Sequence, residues 1–141
     1  MAGADSKGEL LRKVPLFSSL RGRDLEAVER LTDVIDRPAG DVLMRQGQTG
    51  NEAFVIISGG ARVERDGREL ARVGPGEVVG EIAIISEGPR VATVTLTEPS
   101  QLLVIGHREF HSLLEGSPDV MRAVLDELGR RIRNLEADSP H

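Results

Sequence analysis

Between Ile35 and Ile105 the chain is cut into short lengths by turn-forming residues, and no other feature limits its fold so tightly. Pro38-Ala39-Gly40-Asp41, Gln46-Gly47-Gln48-Thr49-Gly50-Asn51, Ser58-Gly59-Gly60, Asp66-Gly67 and Gly74-Pro75-Gly76 each separate runs of apolar and β-branched residues. Glycine supplies the positive φ that such turns need, proline presets φ, and Asp-Gly is a two-residue hairpin signal. Strands are therefore expected at 42–45, 53–57, 61–65, 68–73, 91–96 and 101–105. About eight short strands at this spacing imply a sandwich or barrel, read here as an eight-stranded jelly-roll β-barrel over 35–106.

Helices flank this β region. Residues 6–13 read as a weak helix that must end before Pro15. Over 21–34, Leu25, Val28 and Leu31 recur at helical spacing opposite Asp24, Glu26, Glu29 and Arg30, so a second helix turns its stripe to the core. After the barrel, 107–114 is a short helix with Phe110, Leu113 and Leu114 as its apolar side. Ser117-Pro118 then sets an N-cap before a proline at the first helical position, with Asp119 in the first turn. That helix runs to about Ala137. Its residues Met121, Leu125, Leu128, Ile132 and Leu135 step by four, three, four and three, and Val120 and Val124 widen the stripe. Such a face suits either packing on the chain's own barrel or a homodimer.

With 141 residues, 39% of them hydrophobic, the chain suits a single domain over 1–141. Its parts are a helical N-terminal segment (6–34), the barrel (35–106) and C-terminal helices (107–137). A net charge of -5 argues against a broad footprint for nucleic acid or an anionic membrane. The lack of cysteine excludes disulfides, zinc-thiolate sites and thiol catalysis. No apolar run approaches a membrane span, and a cytoplasmic location is expected. With three Phe and neither Trp nor Tyr, a base-stacking platform is absent. His107 and His111 stand four apart, a spacing that can present two metal ligands, but no suitable third ligand lies near them in sequence. A surface or packing role is expected for both, and neither a metal site nor a catalytic residue is assigned.

Chemistry concentrates between Gly76 and Val94, GEVVGEIAIISEGPRVATV. Gly80 lets a backbone approach a ligand closely, and Glu81 follows it at the mouth of the apolar turn Ile82-Ala83-Ile84-Ile85. Free N–H groups opening that turn form an anion site. Arg90, nine residues beyond the carboxylate, offers a planar fork matched to phosphate oxygens, just ahead of the alternating run that begins at Val91-Ala92. A structural ion pair of Arg90 with Glu77 or Glu81 is the plainer alternative.

Together with the upstream VLMRQGQTGNEAFVIISGGARVERDG, this stretch resembles the cyclic nucleotide-binding domain family, the module of catabolite activator proteins and protein kinase A regulatory subunits. The resemblance runs from about Val14 to the final helix. It implies a regulatory module, not an enzyme, whose C-terminal helices serve as lid and hinge and whose only small molecule is the cyclic nucleotide. By the same resemblance Arg90 would pair with the cyclic phosphate and Glu81 would accept the ribose 2′-hydroxyl. The N–H groups of Ile82, Ala83 and Val91 would complete the cradle, Gly80 would keep the turn open, and Ala92 belongs to the matched motif.

Two departures bear on the ligand. Val79 stands where relatives often have an aromatic, and no Tyr or Trp is available to cover a purine, leaving Leu128, Arg131 and Ile132 to close over the base. Val91 lacks the hydroxyl that cyclic GMP-preferring relatives place after the arginine, and a mispaired polar edge costs about 1–3 kcal/mol. Cyclic AMP is the expected ligand, with cyclic GMP as the alternative. A ligand-free interaction domain and a cupin-like metal enzyme are the other classes, and metal analysis separates the latter. The effector, and whether 141 residues are a whole protein or a piece, stay open.

Overall fold

In the computed structural model, which describes residues 7–13, 17–18, 20–80 and 88–137, two helices lead into the sheets: α1 (Lys7–Arg12) and α2 (Gly22–Leu31). The expected second helix stops at Leu31 instead of reaching 34. Thr32 ends it in extended geometry, and its Oγ1 donates to the Glu29 carbonyl at 3.1 Å. Lys7 Nζ donates to the carbonyls of Glu29 (3.0 Å) and Thr32 (2.6 Å), adding to the bonds that the Thr32 N–H and hydroxyl make at this helix end. The β-branched Thr32, Val34 and Ile35 then favour a strand, and all six residues of β1 (Thr32–Arg37) pair with β8 (Ser100–Gly106). Val34, the last residue of the expected helix, lies in this strand and is 41% exposed.

The remaining strands are β2 (Val42–Met44), β3 (Glu52–Ser58), β4 (Ala61–Arg65), β5 (Arg68–Val73), β6 (Val78–Val79) and β7 (Thr93–Leu96). The described strands form two antiparallel four-stranded sheets, in the orders β1-β8-β3-β6 and β2-β7-β4-β5, and no ladder among them joins the two into one closed barrel. β6 went unseen in the sequence because two valines are too short a run to declare a strand. β7 starts at Thr93 and not at 91, because the main chain of Arg90 is bonded elsewhere, as described below.

The central strands of the first sheet, β3 and β8, are covered on both faces. Along β3 the side chains alternate: Phe54 and Ile56 meet Met44, Val94 and Leu96 of the second sheet, whereas Ala53 and Val55 meet the helices. That explains the unbroken apolar run of a central strand. On the helical side lie α3 (His107–Gly116) and α4 (Pro118–Ala137). Phe110 of α3 packs edge-on against Phe17 with ring centroids 6.1 Å apart, both fully buried. Ser117 Oγ accepts the Val120 N–H at 3.4 Å as the N-cap of α4 and donates to Asp24 Oδ1 at 2.9 Å, tying α4 to α2.

On α4 the face turned to the core carries Val120 and Val124, with Ala123 and Leu128 packed against it. The seven-residue stripe is thus divided. Leu128 joins the core, while Met121, Leu125 and Ile132 are exposed.

Phe110→Ala is expected to destabilise the fold by about 3–5 kcal/mol, since a fully buried aromatic leaves a cavity that the sheet cannot fill. Leu70→Ala, at a half-exposed position on the edge strand β5, is expected to stay within about 0.5 kcal/mol of the parent. Chemical denaturation of the two variants side by side measures both.

Candidate functional site

Arg90 is held first by its main chain. Its N–H donates to the Gln48 carbonyl and its carbonyl accepts the Gly47 N–H, both at 2.8 Å, while Thr49 and Pro89 form a bridge beside them. The polar loop after β2 and the segment before β7 are therefore zipped together, and the Arg90 side chain must fold across the next residues of that loop. It does so over Gly50 and reaches Glu52, whose carbonyl accepts a 2.8 Å hydrogen bond from Nη2.

Gly80 closes the other side. It follows β6 with φ of +81°, a region that L side chains avoid, and a Cβ there would lie 2.9 Å from Arg90 Nη1 and from the Glu52 carbonyl, and 3.0 Å from Met44 Cε. Sheet register creates this meeting. Phe54 pairs with Val79 and Val55 with Val78, so the residue after Val79 arrives beside the start of β3.

Arg90 is 9% exposed, and its Nη1 is a buried nitrogen without a hydrogen-bond partner among the described residues. Burial pulls the group below its ordinary guanidinium pKa, and the Glu52 carboxylate opposes that shift. Arginine nevertheless stays charged, because its ordinary value lies so far above neutrality. A buried cation with an unused donor is costly, and an anion that reaches Nη1 removes that cost. The plainer ion-pair reading with Glu77 is not what the geometry gives: the Glu77 carboxylate accepts the Gly74 N–H at 2.9 Å.

Of the residues expected at the site, the structure brings together Arg90 and Gly80. Val91 is 56% exposed and Ala92 8%, both directly after the arginine. Glu81, Ile82 and Ala83 lie outside the described residues. Among the residues considered for covering a base, Leu128 packs on the core and Ile132 is exposed, while nothing is described of the Arg131 side chain. Gly50 and the Glu52 carbonyl were missed. Gly50 carried a signal as the second glycine of the loop, whereas a main-chain carbonyl has no signature in sequence.

A cleft of about 360 Å³ opens between β1 and β2 over Phe54 and Val104, and Glu52 lines it as well. The His107 and His111 rings lie 4.2 Å apart at 36°, a stacked pair. Among the described residues no group of three or more His, Asp or Glu is placed to hold a metal ion, and no helix is long and apolar enough to cross a membrane.

An effector protein of Xanthomonas perforans, the Pycsar effector protein XpPycTIR, is 36% identical over 111 residues, covering 76% of this chain and 37% of its own. A CRP-like cAMP-activated global transcriptional regulator of Mycobacterium tuberculosis is 27% identical over 130 residues, covering 89% and 58%. The chain thus spans less than two thirds of these curated relatives. The crystal structure of the N-terminal domain of a Streptomyces coelicolor transcriptional regulator superposes with a TM-score of 0.77 at 33% identity, covering 93% of this chain and 96% of that one. The family model described as the cyclic nucleotide-binding domain matches residues 35–117, the stretch that contains both sheets' site-forming loops, and with Arg90 and Gly80 inside it the chain belongs to the cyclic nucleotide-binding domain family.

Proposed function

We propose that the chain is a cyclic nucleotide-sensing regulatory module whose ligand phosphate is held by Arg90. The observation that carries this is the buried Arg90 with Nη1 beside Gly80 and unpartnered among the described residues. A cyclic phosphodiester bears one negative charge, which one guanidinium and main-chain N–H groups balance without a second cation. In this reading Glu81 takes the ribose hydroxyl, and the N–H groups of Ile82, Ala83 and Val91, next to Ala92, surround the phosphate oxygens. All 141 residues work as one domain, a jelly-roll barrel with flanking helices.

Cyclic AMP is the ligand this site suits, because Val91 offers no hydroxyl to the polar edge of guanine. The cAMP-activated regulator among the relatives supports the same choice. Occupancy acts by shifting α3 and α4, and the Ser117–Asp24 bond at their junction is the contact such a shift loads first. Met121, Leu125 and Ile132 form an exposed apolar face on α4 that suits a second copy of the chain. The module catalyses no reaction; its output passes to an effector.

Calorimetric titration with cyclic AMP and cyclic GMP tests the site. Arg90→Ala is expected to weaken cyclic AMP binding about 100-fold or more, the loss of two charge-assisted bonds, and to keep the native circular dichroism spectrum. Arg90→Lys is expected to bind poorly too, because a point charge does not reproduce the fork. Equal affinity of parent and Arg90→Ala refutes the assignment, and tighter binding of cyclic GMP overturns the role given to Val91.

For the α4 face, sedimentation velocity of Leu125→Glu is expected to give a monomer under conditions where the parent sediments as a dimer. A monomeric parent at high concentration removes the dimer from the proposal.

A further inference from the structure

Eight of the described glycines stand at positive φ, where turn geometry already calls for glycine. Gly50 is not one of them. Its backbone would accept an ordinary residue, so the reason for glycine has to be sought in the space around it. That space is filled by Arg90: a Cβ on Gly50 would lie 2.6 Å from Nη2 and 2.7 Å from Cζ, closer than real Cβ contacts come. Gly80 is ambiguous in this respect, since positive φ and crowding both call for glycine there. At Gly50 only crowding does.

The crowding follows from the way the two segments are joined. Main-chain bonds of Arg90 to Gly47 and Gln48, with the Thr49–Pro89 bridge, fix where its Cα sits relative to the loop. From that anchor the side chain reaches the Glu52 carbonyl by passing the residue between Thr49 and Asn51. A methyl group on that residue would occupy the guanidinium's place. The side chain could then keep neither the bond from Nη2 to Glu52 nor the position of Nη1 beside Gly80.

We propose that Gly50 is a positioning residue for the anion site: by lacking a Cβ it lets the Arg90 guanidinium lie against the main chain of 50–52, with Nη2 spent on Glu52 and Nη1 presented to the ligand. The inference rests on Arg90 as the phosphate-binding group. It adds that the guanidinium's location is set from the loop after β2, outside the 76–94 stretch that carries the arginine. The same loop meets the C-terminal helices, since the His107 N–H at the start of α3 donates to the Asn51 carbonyl at 2.6 Å.

The test uses four proteins: the parent, Gly50→Ala, Arg90→Ala and the double variant. Each is titrated calorimetrically with cyclic AMP and melted without ligand. Gly50→Ala is expected to weaken cyclic AMP about tenfold or more and to lower the melting temperature, as overpacking does. In the Arg90→Ala background the same substitution is expected to hold or raise the melting temperature, because alanine at a permissive φ restricts the unfolded chain. A purely structural glycine would not show that reversal. Should Gly50→Ala alone fail to fold, recovery of folding in the double variant supports the proposal, and an unfolded double variant overturns it.

Two further outcomes separate the layers of the argument. Parental affinity in Gly50→Ala, together with lost binding in Arg90→Ala, sinks the role of Gly50 and leaves the site standing. Parental affinity in Arg90→Ala sinks both. Equal losses of melting temperature in the two backgrounds also overturn the proposal, by placing the need for glycine in the main chain.

Discussion

Folding this chain removes one guanidinium from water and then pairs it incompletely, and the rest of the site is arranged around that fact. Arg90 has one arm bonded to the Glu52 carbonyl and another, Nη1, buried without a partner among the described residues. Water would have satisfied both arms, so the folded chain carries a desolvation cost that an anion can relieve. The donor is already stripped of solvent and held in place before a ligand arrives. Preorganisation of this kind turns more of the contact energy into affinity, because little has to be ordered at the moment of binding.

The scaffold makes such a burial tolerable. Glu52 opens β3, the strand flanked by β8 and β6 and covered on both faces. Its carbonyl therefore belongs to a strand paired on both edges. The β3–β6 register brings Gly80 to the same spot, and a one-residue slip would exchange the faces of β6 and move Gly80 away from the guanidinium. From the same corner the chain has a short path to the helices, through Asn51 and the first residue of α3. The site thus lies at the junction of the first sheet and the helical layer packed on it through a shared apolar core, whose helices α2 and α4 are tied together by the bond between Ser117 and Asp24.

Much of this was legible from residue types. Asp66-Gly67 marked the β4–β5 hairpin, Ser117-Pro118 marked the start of α4, and the run Ala53 to Ile57 marked a buried strand. These are local signals, decided by φ preferences, caps and alternation within a few residues. Where local preferences conflicted, pairing with distant residues won. Val34 falls at the end of a span with helical periodicity, yet the pairing of all six β1 residues with β8 draws it into a strand. On α4 the apolar residues outnumber those one packed face can cover, so periodicity could not tell which would be buried. Contact with the first sheet and α3 selected Val120 and Val124 and left Leu125 in solvent.

Sequence by itself determined the strand-and-turn rhythm, the flanking helices and the identity of the arginine, because each is encoded in neighbouring residues. Only the tertiary structure decided what that arginine touches. Gly50 and the Glu52 carbonyl lie some forty positions before it, and one contributes the absence of an atom while the other contributes main chain common to every residue. Neither leaves a pattern to read, and both follow from the distance at which two zipped segments hold their backbones.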